Sequence, residues 1–255
     1  MPAGQEVDVE VDVEVGVDVA GLRAQLRTVY WLGGGSGAGK STIAAALAEQ
    51  HGLRLCSTDD VMADHARRCP ARQCPHLHAF GAMSMDERWV HRPPRVMLET
   101  FHWYRGEGFH LILEDLLTTI GTTGGAGAGG GPARPGMLVE GFRLLPHLVR
   151  PLLADARRAV WLLPTPGFRR AALESRGGLW QIAGRTSDPQ RALENLLERD
   201  RLFTEELREQ TRRHQLHAVE VDTSWTQEQS RREVAVSLGL EGDRPPSLRT
   251  SGSAR

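Results

Sequence analysis

The stretch Gly33-Gly34-Gly35-Ser36-Gly37-Ala38-Gly39-Lys40-Ser41-Thr42 holds the residues whose types and spacing most directly imply chemistry. Glycines at 34 and 39, followed at once by lysine and serine, have the spacing of a phosphate-binding loop. Glycines let successive backbone amides turn inward as an anion nest, and the N-terminus of a following helix adds the positive end of its dipole. The backbone of Gly34, Gly35, Ser36, Gly37, Ala38 and Gly39 would cradle the phosphates. Lys40 would reach the outer phosphates, Ser41 would ligate Mg²⁺ and Thr42 would donate to the inner phosphate. The expected ligands of the loop are therefore a nucleotide phosphate and Mg²⁺. Lys40 is also the single lysine among 31 basic residues. In a composition so biased to arginine, a lysine at this place has a physical reason: a compact ammonium slides between phosphates where a guanidinium fork cannot.

Other reactive groupings are weaker. Cys69, Cys74, His76 and His78 bring enough sulfur and nitrogen for zinc, although their spacing is not that of a finger and Pro70 and Pro75 suit a loop. Arg88-Trp89-Val90-His91 and Phe101-His102-Trp103-Tyr104-Arg105 form an aromatic cluster. Trp89, His102, Trp103 and Arg105 could line an acceptor pocket by stacking and hydrogen bonding; the alternative is the aromatic core of a helical subdomain. Trp225 is a candidate to pack near an adenine.

The elements that must position these residues alternate in type. Strands are expected at Thr28–Leu32, Leu53–Ser57, Met137–Val139, Ala159–Leu163 and Ala218–Val221. Helices are expected at Lys40–Gln50, stopping at Gly52, and at Arg95–Tyr104, Phe109–Ile120 and Gln227–Leu238. A long helix should follow Ser187-Asp188-Pro189, and Ser84 with Glu87 has capping-box spacing. This alternation predicts an α/β fold: a mainly parallel five-stranded sheet with helices on both faces. Valine alternates with acid over 6–19, suggesting a flexible acidic leader at 1–21 or an edge strand. A folded unit at 22–240 is expected, with a glycine-rich connection at 121–136 and a disordered tail at 241–255.

Bulk properties narrow the partners. A chain of 255 residues holds one core with a small lid. A formal charge of −1 gives no field for nucleic acid or an anionic membrane. Three cysteines do not make a disulfide framework and point to a reducing, cytoplasmic setting. There is no apolar run long enough for a membrane span and no signal-peptide pattern. The expected partners are thus ATP and a small molecule, with no nucleic acid or membrane, in a monomer or homodimer.

Neither a GTPase nor a transporter is supported: Asn-Lys is absent, and Ser175-Arg176-Gly177-Gly178 is a poor match to a Leu-Ser-Gly-Gly-Gln signature. Leu111-Ile112-Leu113-Glu114-Asp115 partly matches a motor-ATPase strand, yet its surroundings repeat with helical spacing. What remains resembles the small-molecule P-loop kinases, such as adenylate, shikimate and gluconate kinases and chloramphenicol phosphotransferase. The resemblance covers roughly 28–240. It rests on the Walker A loop, on Asp59-Asp60 after the second strand, on Leu138-Val139-Glu140-Gly141 ending the third, and on arginines after the fourth. Val139–Pro146 and Trp161–Pro166 look like an actinobacterial kinase-like group that brings no substrate with it.

The resemblance implies a sheet order of 2-3-1-4-5, a helical lid at about 168–205 and phosphoryl transfer from ATP. It implies Asp59 or Asp60 as general base and acceptor anchor, at strand ends that share one crevice. It also implies Glu140 as a Mg²⁺ holder through water or as an alternative base. Lid arginines would neutralise the moving charge; Arg176, Arg185, Arg191, Arg199 and Arg201 are the candidates, Arg185 on the nucleotide and Arg199 on the transferring group. Asp200 falls where the helix's apolar stripe calls for a leucine, so it needs a partner, either in an internal ion pair with Arg199 or on the helix surface. The competing expectation is a nucleotide-dependent regulatory or binding module that transfers nothing.

Overall fold

The computed structural model describes residues 18–122, 136–176 and 178–241. Residues 1–17, most of the glycine-rich connection (123–135) and the tail from 242 lie outside them. Helix α1 (Val19–Gln25) is capped by Asp18, whose carboxylate accepts the Gly21 N–H at 2.8 Å, so the expected boundary at 21 falls inside a helix. Strand β1 (Val29–Gly34) runs into helix α2 (Lys40–His51), which Gly52 ends in a left-handed conformation at φ 61°. Strand β2 (Arg54–Ser57) leads to five helices: α3 (Met62–Arg68), α4 (Pro75–Ala82), α5 (Met85–Trp89), α6 (Pro94–Thr100) and α7 (Phe109–Thr122). Then come β3 (Met137–Glu140), α8 (Pro146–Val149), β4 (Ala159–Pro164), α9 (Pro166–Arg176), α10 (Gly178–Ala183), α11 (Pro189–Arg213), β5 (His217–Val221) and α12 (Gln227–Ser237).

All five strands are parallel, in the order β2-β3-β1-β4-β5. The reason is visible in the central strands, whose two faces are both apolar. Trp31, Trp161 and Leu163 face one core with α7, α8 and α11; Leu32, Val160 and Leu162 face the other with α2 and α12. Trp31 and Trp161 are fully buried, and the Trp161 indole N–H donates to the Leu144 carbonyl at 2.7 Å. The register sets Leu32 and Ser57 both opposite Glu140, so the carboxyl ends of β1, β2 and β3 are level. Among the described residues no helix is long and apolar enough to cross a membrane.

Leu111–Asp115 is helical, as its spacing implies. The helix expected at Arg95–Tyr104 stops at Thr100, because Phe101 turns extended and tight turns follow, with Gly106 and Gly108 at φ 79° and 73°. Phe101, Trp103 and Tyr104 are thereby freed from one helix face and point several ways. The capping box at Ser84 and Glu87 is present.

The cysteine expectation is corrected. Cys69 and Cys74 form a disulfide. Cys69 closes α3 and Cys74 opens α4, and a turn in which the Gln73 and Cys74 amides donate to the Pro70 carbonyl brings their Cα atoms to 6.0 Å. The same bond removes both sulfurs from metal binding, and no metal-holding group of His, Cys, Asp and Glu occurs among the described residues. His76 and His78 serve locally instead: the His76 amide donates to Glu107, and the His78 ring bonds the Cys69 carbonyl.

Candidate active site

The glycine loop links the central strand to α2. Gly37 and Gly39 take φ 76° and 83°, conformations that turn successive amides to one side and that a Cβ would strain. The Gly35 amide donates to Leu162 on β4, which pins the loop to the sheet. The first intrahelical bond of α2 runs from Ile43 to Gly39, so the amides of Lys40, Ser41 and Thr42 stand at the open helix end. Ser41 and Thr42 are exposed residues. Lys40 is buried, 5% exposed, and its Nζ donates to the Gly35 carbonyl at 2.8 Å. Burial pushes its pKa down, while Asp59 and Glu140 oppose that shift.

Glu140 at the end of β3 and Asp59 just beyond β2 are carboxylates whose charge favours this ammonium. Glu140 ends β3 with 1% exposure, and its Oε2 has no hydrogen-bond partner. Asp59 is half-buried just beyond β2, and the Thr58 hydroxyl donates to its Oδ1 at 3.4 Å. Burial raises its pKa above the usual carboxylate range; Lys40 works against that shift and Glu140 adds to it. Asp60, the equal candidate in the sequence, is exposed. The structure thus separates the two neighbours: Asp59 belongs to the charged cluster and Asp60 to the surface.

Gly141 makes this closeness feasible. Its φ is +149°, and a Cβ there would overlap the Thr58 hydroxyl and come within 3.1 Å of Asp59 Oδ1. Gly141→Ala is therefore expected to lower the melting temperature by roughly 5–10 °C, since strain and overpacking each cost about 1–3 kcal/mol. An unchanged melting curve would contradict this packing.

Arg143 was not singled out by type or spacing, yet it lies beneath Asp59. It is 2% exposed, stacks over Trp103 at 4.0 Å, and donates to the Thr58 and Gly108 carbonyls, each at 3.3 Å. Its Nη1 also donates to His65 Nδ1 at 3.0 Å, which leaves His65 Nε2 to carry the proton given to Asp115 at 2.8 Å. Burial brings the Arg143 pKa down to about 10, with Asp59 and Asp115 opposing.

The lid arginines divide. Arg199 is buried beside Asp200, in an ion pair that settles the placement of that carboxylate in the apolar stripe. Arg185 and Arg191 are exposed, and Arg201 is exposed and paired with Glu198 at 2.8 Å. The side chain of Arg176 lies outside the described residues. Arg169, absent from the sequence-based candidates, reaches the loop: it is buried, and a Cβ on Gly37 would collide with its Nη1. Nothing in its spacing marks it among 30 arginines.

A pocket of about 330 Å³ opens beside the loop, lined by Ala38, Gly39, Thr42, Phe168, Trp225 and Gln227 among others. Trp225 thus shares one pocket with Gly39 and Thr42 of the loop. Of the proposed acceptor lining, Trp89, His102 and Trp103 are core residues and Arg105 is exposed. Phe80, Trp89, Phe101 and His102 pack edge to face or tilted, with centroids 4.7–6.5 Å apart, so the cluster is the aromatic core of the inserted helices.

Fold and site together define a doubly wound α/β protein with a glycine loop between its central strand and α2, at the carboxyl ends of its strands. No protein-family model matches the chain, and no curated protein matches it.

Proposed function

We propose that this protein is an ATP-dependent small-molecule phosphotransferase of the P-loop kinase type, which moves the γ-phosphoryl group to a hydroxyl or phosphate acceptor. The observation that carries the reading is the buried Lys40 ammonium held inside the glycine loop, level with the strand ends that carry Glu140 and lead to Asp59. The nest and Lys40 hold the triphosphate, while the pocket at Trp225 receives the adenine. Asp59, its pKa raised toward a useful range, takes the proton of an acceptor hydroxyl. That oxygen bonds the γ-phosphorus as the bond to the bridging oxygen breaks, and ADP leaves. Ser41, an exposed residue, and Glu140, with a spare buried oxygen, offer hard oxygen donors that would hold Mg²⁺, Glu140 through water. Mg²⁺ supplies charge neutralisation on the phosphates when bound.

A second reading, a nucleotide-dependent regulatory module, is favoured by one observation: the aromatics that could have lined an acceptor pocket are packed into a core. A cytoplasmic setting, where ATP is supplied, belongs to the main reading; the Cys69–Cys74 disulfide speaks against it.

Thermal-shift measurements with a non-hydrolysable ATP analogue, Mg²⁺ and a panel of alcohols and phosphate esters test the proposal, because a bound ligand raises the melting temperature by mass action. The kinase reading expects a shift with nucleotide and a further shift with at least one acceptor. No shift with nucleotide would remove both readings.

A further inference from the structure

Asp200 is 3% exposed in the middle of α11, on the stripe that also carries Leu196, Phe203 and Leu207. Its Oδ2 accepts Nε of Arg169 at 3.1 Å and Nη2 of the same residue at 2.5 Å. Its Oδ1 accepts Nε and Nη2 of Arg199 at 3.0 and 2.6 Å, and the Tyr104 hydroxyl at 3.1 Å. One carboxylate therefore serves two guanidinium groups, and the cluster keeps one net positive charge. Burying such an excess is costly unless an anion completes it.

The free end of the cluster points at the loop. Arg169 makes no hydrogen bond through Nη1 among the described residues, and that nitrogen lies against Gly37. Thr204, whose hydroxyl donates to the Asp200 carbonyl, packs against Gly35, where a Cβ would come within 3.0 Å of that hydroxyl. The opposite end is turned to the inserted helices. The Arg199 guanidinium sits 5.0–5.3 Å from the ring centroids of Trp89, Phe101 and Tyr104, with its buried Nη1 unpartnered. Tyr104 in turn stacks on Phe203 at 3.6 Å. Trp89 belongs to α5, and Phe101 and Tyr104 follow α6, between β2 and β3.

We infer that Arg169 contacts the phosphoryl group being transferred, and that Asp200 presents it there, with Arg199 and Tyr104 as positioning residues that tie this presentation to the inserted helices. The inference rests on the phosphotransferase reading. A planar fork gripped on two nitrogens by a carboxylate leaves its third nitrogen aimed in a fixed direction, which suits a group that must meet charge only as it develops. Displacement of α5 or of the segment after α6 by an acceptor would travel through a single carboxylate to Arg169.

Arg169→Ala, Arg169→Lys and Tyr104→Phe test this, each measured for turnover, for ATP and ADP affinity by calorimetry and for melting temperature. Arg169→Ala is expected to lower kcat by about 10²–10³-fold. It should also weaken ATP more than ADP by about tenfold, the loss of a charge-assisted bond to the outer phosphate. Arg169→Lys, which keeps charge without the fork, should recover part of kcat. Tyr104→Phe keeps the stack on Phe203 and loses one bond to Asp200. It should lower kcat by roughly fivefold with little change in ATP affinity or melting temperature. Combined with Arg169→Ala it should add nothing further, since both act through one carboxylate. Wild-type turnover in Arg169→Ala, or independent effects of the two changes, would overturn the inference. If the wild type binds ATP but transfers no phosphate, the kinase reading fails; an unchanged ATP-to-ADP preference in Arg169→Ala then overturns this inference separately. If it binds no nucleotide, both fall.

Discussion

Lys40→Ala is expected to lower turnover by roughly 10²–10³-fold and to weaken Mg·ATP binding, the size of effect seen when one preorganised charge is removed from a developing anion. The expectation follows from where the ammonium is kept. Among the described residues Lys40 Nζ has one acceptor, the Gly35 carbonyl, so it sits inside the loop rather than on its rim. Burial disfavours its charge, and Asp59 and Glu140 restore it. A phosphate in the nest would do so more strongly. Lys40→Arg should fail almost as badly, although charge is conserved, because the broader fork does not fit where the ammonium lies. Calorimetry with ATP checks both variants; wild-type affinity in Lys40→Ala would mean that the loop does not hold phosphate.

Asp59→Asn should leave ATP affinity nearly unchanged and lower kcat by about 10²–10⁴-fold, the usual contribution of a general base. Asp60→Asn should leave both constants near wild type, because Asp60 is exposed. The pH profile carries the same claim. Burial, with Glu140 beside it, raises the Asp59 pKa, so the base is lost on acidification earlier than an ordinary aspartate would be. The acid limb of kcat should therefore lie above the usual carboxylate range and disappear in Asp59→Asn. The sign for stability is opposite to that of a paired carboxylate. A carboxyl whose folded pKa is raised costs stability once it is ionised, above its unfolded pKa. At neutral pH, Asp59→Asn should then keep or raise the melting temperature while losing activity. Asp200 behaves in the ordinary way. Burial would raise its pKa, but Arg199 and Arg169 hold it below the usual range, so its stabilising effect is present at neutral pH and is lost only as pH falls through that depressed value.

Strand positions were legible because the two-sided apolar runs of β1, β3 and β4 suit a parallel sheet covered on both faces, whereas the sheet order came from the resemblance to P-loop kinases alone. The loop's shape was legible because its left-handed turns follow from glycine spacing, which the sequence writes out directly. Glu140 was legible from its place at a strand end. Arg169 and Arg143 were not, because each acts through a long side chain whose target is fixed by tertiary packing: Asp200 for one, Trp103 and His65 for the other. The aromatic cluster was legible only as a choice between an acceptor pocket and a helical core. Aromatic content cannot distinguish a pocket from a core, and the turn at Phe101–Gly108 decides it by folding Trp103 under Arg143. The Cys69–Cys74 pair escaped because an odd cysteine count says nothing about a local turn of five residues.

The central claim is that the phosphate held at the Lys40 loop is handed to an acceptor beside Asp59. The most direct test incubates the full chain with γ-labelled ATP, Mg²⁺ and the acceptor panel, and follows the label. The account predicts a labelled product other than free phosphate, formed by wild type and by Asp60→Asn but not by Asp59→Asn or Lys40→Ala. Label appearing only as free phosphate with every acceptor, or transfer that persists in Asp59→Asn, would contradict it.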